Sequence, residues 1–464
     1  MNSSTGDAPC DEWLSRPENQ YFDRKSFQIQ PKDLAKSIVA LANSDGGTLA
    51  LGIRDRTLEG RPTPTQLNAF SQVSQELTQP TVPLKMEIID CGPSPDSPQV
   101  VLLQIPPSDR VHERSDGQCF LRRGDQTMSL GFEDRLELSY SKGERQFDST
   151  PLPQLSVDDL DADSLADYAA TIGASDRLSA LRGRHLLTRN GQVTVAAELL
   201  FGKDPQGSFP NALVRVIKFD STDRTTGSRQ TISHDRRFEG RITDILTAAA
   251  QDIRELVPTH KKLSSGGLFE WIPILPEAAW LEGLVNAVLH RSYSLIGDHI
   301  RIEIYPDRIE ITNPGRFPGL ADPRDPLSIA RFARNPLIAR TAIDLGIGQE
   351  LGEGIRRIYE EMRLSGYQDP EYRQTSGSVT LILRAAARID DLTMATLPVH
   401  SETILQTMQQ HHRPLGTGDV AELSNVNRPA ALRALKALRD AGLVIWHGRG
   451  PKDPRATWSL ANLL

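Results

Sequence analysis

Residues 276–293, PEAAWLEGLVNAVLHRSY, decide the fold of the second half of the chain. Apolar side chains at helical spacing would form one face of a helix: Leu281, Leu284, Val285 and Val288. Glu282, Asn286 and His290 are four residues apart, so they would form a separate polar stripe. We therefore predict a helix that packs through one face and leaves a carboxylate and a carboxamide, one turn apart, free for chemistry. Such a pair can polarise a water and complete the shell of a phosphate-bound Mg²⁺.

The sequence that follows this helix predicts a hairpin and a glycine-rich helix start. Isoleucines alternate on both sides of the turn YPDR: Ile300, Ile302, Ile304, Ile309 and Ile311. The second strand leads into Asn313-Pro314-Gly315, and Gly352 and Gly354 precede a helical segment. Glycines at such a position can expose backbone N–H groups to phosphates. No G-x-x-x-x-G-K-[ST] pattern occurs, which excludes a P-loop.

The order E-x-x-x-N-A, N-P-G and G-x-G resembles the GHKL superfamily of ATPases, which includes gyrase B and the histidine kinases. The resemblance implies a GHKL-like α/β sandwich over residues 271–386 that binds ATP with Mg²⁺. It implies that Glu282 is the general base of any ATP hydrolysis and that Asn286 is the Mg²⁺ ligand. The implied adenine side is Asn313 and Gly315, and the implied phosphate lid is Gly352 and Gly354.

Two positions depart from the superfamily pattern. Asn313 stands where the superfamily has an Asp that contacts adenine, so GTP could compete with ATP, and Ser292 replaces the Asp of H-R-D-Y. The alternative is a GHKL-shaped scaffold without turnover, in which Glu282 is solvated. Whether ATP is hydrolysed or only bound therefore stays open.

The N-terminal part combines a helix, glycines and strands. Helical spacing relates Leu34, Ala35, Ile38, Leu41 and Ala42. The sequence NSDGG would end this helix, and TLALGIRD, VVLLQIP and CFLRRGDQT predict strands. The preceding segment ENQYFDRKSF gathers acidic and basic residues in one short, extended piece.

Residues 12–148 resemble the Schlafen AlbA domain, a nucleic-acid-binding domain. The matching pieces are Glu18, Asp23 and Lys25, then Asn43–Asp55, then Leu121–Gly124. In the eukaryotic branch of that family three acidic residues form a metal-dependent RNA-cleaving site, and the matching positions are Glu18, Asp23 and Asp55. Converging carboxylates would hold Mg²⁺ or Mn²⁺. The alternative is that Glu18 and Asp23 are solvated or pair with Lys25, while Asp55 only opens a turn; Asp23 is also shorter than the usual Glu.

The middle and the end of the chain have different predicted roles. Residues 149–270, with a turn at Asn190-Gly191, resemble the connecting domain of bacterial RecG-like regulators, which implies a scaffold. Residues 400–464 show the helix, helix, helix and hairpin order of a winged helix. Leu432, Leu435 and Leu438 would point inward on its third helix. The predicted DNA contacts are Arg428, Arg433 and Lys436 for bases and Arg449, Lys452 and Arg455 for phosphates. The alternative is a winged helix used for dimerisation.

Composition limits the class of protein. The chain has 464 residues and a net charge of −7, whereas the segment from Arg428 to Leu464 holds seven Lys or Arg against two Asp. No apolar run is long enough to span a bilayer and no secretory signal begins the chain, so we predict a cytoplasmic protein without a membrane partner. The three widely spaced cysteines predict reduced thiols.

We therefore expect a multidomain α+β protein with an AlbA-like domain, a connecting domain, a GHKL-like domain and a winged helix. The preferred function is a nucleotide-responsive DNA-binding transcriptional regulator with ATP and Mg²⁺ as cofactors. The alternatives are a metal-dependent nuclease acting on RNA or DNA, as in phage defence, and a scaffold with degenerate sites. An RNA partner, enzymatic activity and homo-oligomer formation stay open.

Overall fold

A computed structural model describes residues 10–224, 231–263, 268–317, 325–328, 332–348, 353–375, 377–386, 396–411, 414–448, 453 and 456–460. Helices and strands are interleaved along this range, and three larger apolar clusters follow one another in sequence. The chain is therefore a multidomain α+β protein, which confirms the predicted fold class.

The first part of the chain surrounds a four-stranded sheet. Its helices are α1 (Asp11–Ser15), α2 (Pro31–Asn43), α3 (Pro64–Leu77) and α4 (Phe132–Ser141). Its strands are β1 (Phe22–Lys25), β2 (Gly47–Leu51), β3 (Ile53–Arg54), β4 (Thr57–Leu58), β5 (Thr78–Gln79), β6 (Lys85–Asp90), β7 (Gln99–Ile105), β8 (Glu113–Arg114), β9 (Phe120–Arg123) and β10 (Gln126–Ser129). The sheet order is β1-β2-β7-β6, with only its first pair parallel. The apolar face of α2 is buried against this sheet, where Ile38 joins Leu49 and Leu103 in one cluster, as the helical spacing predicts.

Cys10 and Cys91 form a disulfide that joins the start of α1 to the end of β6. The expectation of three reduced thiols is therefore wrong for this pair. The two cysteines are 81 residues apart in sequence, and only the fold brings their Cα atoms to 5.2 Å. Cys119 is a free, buried cysteine, and burial raises the pKa of its thiol to about 11, so it stays protonated at neutral pH.

The second part of the chain is built on a six-stranded sheet. Its helices are α5 (Ala162–Thr171), α6 (Arg177–Gly183), α7 (Val195–Phe201), α8 (Pro205–Ser208), α9 (Ile242–Leu256), α10 (Glu277–His290), α11 (Pro336–Asp344) and α12 (Gly354–Leu364). Its strands are β11 (Val214–Phe219), β12 (Ile232–Phe238), β13 (Thr259–Leu263), β14 (Phe269–Pro273), β15 (Ile300–Ile304), β16 (Arg308–Pro314), β17 (Glu371–Gln374) and β18 (Ser378–Arg384). The sheet order is β12-β11-β15-β16-β18-β17.

This sheet includes strands from both sides of the boundary predicted near residue 270. Strand β11 pairs in parallel with β15, and the other neighbours are antiparallel. One apolar cluster extends from Leu160 to Leu383 and contains Val214 of β11 together with Ile302 and Ile311 of the predicted hairpin. Residues of the predicted connecting and GHKL-like domains thus share a sheet and a core.

Helix α10 lies close on the six-stranded sheet. Leu284 and Val288 are buried, as the sequence predicts. A Cβ atom on Gly283 would come within 2.7 Å of Ile311 Cδ1 and 2.9 Å of Leu381 Cδ2. The glycine therefore allows the helix to approach the sheet at the turn that also carries Glu282.

The last part of the chain combines three helices with a three-stranded sheet. These elements are α13 (Ser401–His411), β19 (Leu415–Gly416), α14 (Thr417–Leu423), α15 (Arg428–Asp440), β20 (Val444–His447) and β21 (Thr457–Leu460). The sheet order is β19-β21-β20. Leu435 and Leu438 are buried as predicted, but Leu432 is 37% exposed, so its predicted inward position is wrong. Ala431 and Ala434 are buried four residues before Leu435 and Leu438, respectively, and these four residues form the inward face, which turns Leu432 outward.

Candidate functional site

The Glu282–Asn286 pair lies beneath the first residue of α12. The two side chains are one helical turn apart, and Asn286 Nδ2 donates a hydrogen bond of 3.1 Å to Glu282 Oε1. A Cβ atom on Gly354 would come within 2.2 Å of Glu282 Oε1 and 2.9 Å of Asn286 Nδ2. A larger residue would have to displace the carboxylate, so glycine lets the start of α12 rest directly on the pair.

Burial and one cation act in opposite directions on Glu282. Burial raises the pKa of its carboxyl group, whereas the Arg357 guanidinium and the Asn286 hydrogen bond lower it. Arg357 Nη1 lies 3.3 Å from Glu282 Oε2, and the carboxylate side chain is 12% exposed. A carboxylate with a raised pKa is a stronger base than one in water, as general base catalysis requires.

The end of β16 presents an acceptor without a partner. Asn313 pairs with Val379 of β18 through the backbone, and its side chain is 8% exposed. Asn313 Oδ1 is buried and accepts no hydrogen bond from any described residue. Leaving such an atom unpaired costs about 1–3 kcal/mol, so a donor group of a ligand would be favourable there.

The Asn313-Pro314-Gly315 loop is tied to the end of α10. The Ser292 backbone N–H donates to the Pro314 carbonyl oxygen at 3.0 Å. Gly315 has a φ of 107°, and a Cβ atom there would come within 2.8 Å of Arg334 Nη1. The fold thus places Glu282, Asn286 and Gly354 together and holds Asn313 and Gly315 at the C-terminal end of the same helix. Gly352 lies outside the described residues.

Sequence reasoning missed Arg334 and Asn335, which close the end of α10. Asn335 Nδ2 donates to the carbonyl oxygens of Leu289 and Arg291, at 2.9 and 2.8 Å. These are C-terminal carbonyl groups that lack helical partners. Arg334 is 5% exposed and donates to the Arg316 carbonyl oxygen at 2.6 Å. Burial lowers the pKa of Arg334 to about 10, so the side chain stays charged at neutral pH.

The AlbA-like part contacts this loop directly. Glu137 of α4 accepts a hydrogen bond of 2.7 Å from Ser292 Oγ and a second one from Ser294 Oγ. Asp45 forms an ion pair with Arg316, 271 residues further along the chain. Asp45 belongs to the NSDGG sequence, which could have indicated a role, but no local pattern identifies Glu137 or Arg316. The two parts thus meet at the residues that adjoin Asn313 and Gly315.

The three acidic residues of the nuclease hypothesis are not gathered into a metal-binding cluster. Asp23 is 2% exposed and bonds to Lys25 Nζ at 2.8 Å and to Arg122 Nη1 at 3.1 Å. Glu18 lies 3.6 Å from Arg24 Nε, and Asp55 is exposed in the turn after β3. No group of three metal-ligating side chains occurs in the described ranges. In this structure the fold uses Asp23 to neutralise the buried Arg122, and the shared metal site of the nuclease hypothesis stays a prediction.

The predicted base-contacting cations of the C-terminal part are exposed on α15. These residues are Arg428, Arg433 and Lys436. Asn427 caps the helix by accepting from the Ala430 backbone N–H at 2.9 Å, and Pro429 stands in the first turn. The predicted phosphate contacts Arg449, Lys452 and Arg455 lie outside the described residues.

Two family models match the chain. Residues 18–131 match the family described as "Schlafen, AlbA_2", and residues 297–383 match the family described as "Putative ATP-dependent DNA helicase recG C-terminal". These matches confirm the resemblance of the first part to Schlafen AlbA proteins and of the later part to an ATPase-like RecG C-terminal region. They connect the chain with nucleotide and nucleic-acid interaction. Helix α10 and the residues after β18 lie outside both matches, so neither match bears on the roles predicted for Glu282 and Asn286.

Other comparisons add little. No curated protein matches the sequence. A solved structure, the DIP2311 protein from Corynebacterium diphtheriae, is 19% identical, and the alignment covers 96% of this chain and 92% of that one. Its TM-score is 0.43, and nothing about this chain follows from a similarity at that level. Within the described residues, no helix has the length and apolar composition that crossing a membrane requires.

Proposed function

We propose that the chain is a nucleotide-responsive nucleic-acid-binding protein whose ATP site lies between residues 279 and 355. The observation that carries the proposal is the Glu282–Asn286 pair at the N-terminus of α12. A helix N-terminus favours phosphate through its free N–H groups and dipole. The similarity of residues 297–383 to a family whose description names an ATP-dependent helicase supports the same ligand.

The side chains fit ATP with Mg²⁺. Asn286 uses its amide nitrogen to bond Glu282, so its oxygen, the atom that Mg²⁺ would take, is not used in that bond. Asn313 Oδ1 is an unused acceptor suited to the amino group of adenine. Bound ATP would supply the phosphoryl group for hydrolysis. Glu282 would accept a proton from the attacking water, and Arg357 would hold the carboxylate in position.

The response to nucleotide would pass through the contacts around the Asn313-Pro314-Gly315 loop. Gly354 and Glu282 are so close that not even a Cβ atom fits between them. Phosphates bound between these two residues would therefore move the start of α12. A ligand at Asn313 would also act on Ser292 and Arg316, which Glu137 and Asp45 hold. We propose that this changes how the AlbA-like part binds nucleic acid.

We propose that residues 400–464 form a winged helix that binds duplex DNA, which would make the chain a transcriptional regulator. Support comes from the element order and from Arg428, Arg433 and Lys436, which are exposed on α15 where a recognition helix presents its side chains. A cytoplasmic location is part of this proposal. We also propose that residues 149–270 and 271–386 fold as one unit, since they share a sheet, between an AlbA-like unit at 12–148 and the winged helix.

Calorimetry with ATP, GTP and Mg²⁺ tests the nucleotide site. Asn286→Ala should lose Mg²⁺-dependent binding, whereas Glu282→Ala should keep binding and reduce any hydrolysis by about 10²–10⁴-fold. Glu277→Ala is the matched control, because Glu277 lies on the same helix but pairs with Arg254 at the surface. No heat or thermal shift with either nucleotide at millimolar concentration would leave only the scaffold hypothesis.

Gel shifts on duplex DNA test the C-terminal part. Arg433→Glu with Lys436→Glu should weaken binding and lower the log–log salt slope by about two units. Arg177→Glu with Arg182→Glu changes the same charge on the exposed surface of α6 and should have little effect. If residues 1–395 alone bind duplex DNA as tightly as the whole chain, the winged helix is not the DNA-binding part.

A further inference from the structure

The β13–β14 hairpin exposes large apolar side chains to solvent. Its two strands pair with each other and with no further strand in the described part of the chain. Leu268, Phe269 and Trp271 are 72%, 69% and 64% exposed. Large aromatic side chains at such exposure are uncommon and mark binding surfaces when they are contiguous.

The base of the hairpin is anchored in the large core. The Ile274 backbone N–H donates to the Pro258 carbonyl oxygen at 2.9 Å, and Ile274 and Leu275 are buried immediately after β14. Helix α10 begins two residues later at Glu277. The hairpin therefore projects from a fixed position next to the helix that carries Glu282.

On one face of the hairpin, every side chain whose exposure the structure describes is exposed. Directly opposed residues of an antiparallel pair share a face, and here Lys261 opposes Trp271 while Thr259 opposes Pro273. Phe269 is two residues before Trp271 and lies on the same face. All five side chains are exposed, whereas on the other face His260 and Ile272 are half-buried and Glu270 is exposed. The two aromatic rings follow one strand at a separation of about 7 Å.

A cation lies within this aromatic face. Lys261 Nζ is 5.1 Å from the centre of the Trp271 ring. Lysine is depleted from the cores of protein–protein interfaces, where its charge would have to be desolvated. Exposed aromatic rings with interspersed cations are instead the arrangement with which proteins bind single-stranded nucleic acid, because bases stack on the rings and cations neutralise phosphates.

We propose that the exposed face of the β13–β14 hairpin binds an extended single strand of nucleic acid. Successive bases stack on Phe269 and Trp271, and Lys261 contacts the phosphate backbone between them. The site depends on the proposed function only for the class of ligand, since it uses neither the ATP site nor the cations of α15. The hairpin face would bind unpaired bases of any sequence.

Fluorescence anisotropy of the full chain with labelled oligothymidylate and oligouridylate of about 20 nucleotides tests this site. Phe269→Ala and Trp271→Ala should each weaken binding about tenfold. Trp271→Phe should retain most of the affinity, because the ring remains. Lys261→Gln should reduce the log–log salt slope by about 0.7. Leu364→Ala, which removes a side chain that is 83% exposed elsewhere, is the control and should change nothing.

The inference is overturned if the wild-type chain does not bind the single strands, or if the Phe269→Ala/Trp271→Ala double variant binds them like the wild type. It is also overturned if the double variant keeps its affinity but changes the mass in solution, which would make the hairpin a contact between copies of the chain. The Arg433→Glu/Lys436→Glu variant separates the two proposals. If that variant loses duplex binding and keeps single-strand binding, the result supports both the winged helix and the hairpin site. If the wild-type chain binds single strands but not duplex DNA, the result supports only the hairpin site.

Discussion

Asp23 and Glu282 are both carboxylates that sequence patterns predict to act in chemistry, and the fold treats them differently. Asp23 is 2% exposed and is held by Lys25 and Arg122. Glu282 has one cation, Arg357, and a helix start beside it, and burial still raises the pKa of its carboxyl group. The first carboxylate neutralises a buried guanidinium, whereas the second is the base in the proposed ATP site.

The difference shows when spacing along a sequence is informative. Glu282 and Asn286 belong to one helix, so their four-residue spacing fixes that they are neighbours. Glu18, Asp23 and Asp55 belong to different segments, and only the packing of β1 against β9 and β2 decides their surroundings. A spacing pattern therefore specifies a site within an element better than a site between elements.

Asp23→Ala should have the largest effect on stability. It would leave Arg122, which is 3% exposed, as a buried charge without its carboxylate. Removing one member of a buried ion pair costs about 3–5 kcal/mol. Chemical denaturation should therefore show a fall of that size in the free energy of unfolding.

Two companion variants make this result specific. Asp23→Ala/Arg122→Met removes both charges and should recover part of the loss. Glu18→Ala should cost less than about 1 kcal/mol, because Glu18 is 37% exposed and lies 3.6 Å from Arg24 Nε, beyond hydrogen-bond distance. A fully stable Asp23→Ala protein would mean that the carboxylate is not structural and would reopen its role as a metal ligand.

Glu198 extends the comparison to a buried carboxyl group for which the described residues supply no cation to oppose its burial. It is 3% exposed, and burial, followed by repulsion from Asp159 and Asp204, raises its pKa from 4.5 to about 7. Because the folded state binds this proton more tightly than the unfolded state, the free energy of unfolding falls as pH rises from about 4.5 to 7.

Glu198→Gln removes this dependence. The variant should match the wild type below pH 4.5 and exceed its stability above pH 7 by up to about 3 kcal/mol. Denaturation curves at several pH values measure the difference. Equal slopes against pH for the two proteins would show that Glu198 ionises in the folded state at its ordinary pKa.

The elements of the candidate site were predictable because their patterns are local. Apolar spacing in α10 and alternating isoleucines in β15 and β16 specify these elements and their buried faces. The contact of Gly354 with Glu282 was not predictable in detail, because it depends on how α12 packs on α10. Nor was the shared six-stranded sheet, since β11 and β15 are separated along the chain by 80 residues that include α9 and α10.

The contacts between the AlbA-like part and the loop at Asn313 show the same limit. Glu137 is one acidic residue in a helix with several, and nothing in its neighbourhood indicates that it bonds Ser292. Leu432 illustrates the error that arises within an element. Its spacing from Leu435 and Leu438 is helical, but Ala431 and Ala434 are buried beside these two leucines, so the buried face of α15 excludes Leu432.

Arg357→Gln should have the smallest effect and is the closest test of the contrast with Asp23. Without this guanidinium, only the Asn286 hydrogen bond would oppose the effect of burial on Glu282, so the pKa of the carboxyl group should rise further. A raised folded-state pKa costs stability only above the unfolded value of 4.5, so the variant should be less stable by at most about 1 kcal/mol at neutral pH and unchanged at acid pH.

Arg356→Gln is the matched control, because Arg356 is the preceding residue of α12 and is exposed. If ATP is hydrolysed, the acid limb of the pH–rate profile should move to higher pH in Arg357→Gln and stay in place in Arg356→Gln, since of these two arginines it is Arg357 that pairs with the proposed base. A profile that moves equally in both variants would show that long-range charge, and not the ion pair, sets the basicity of Glu282.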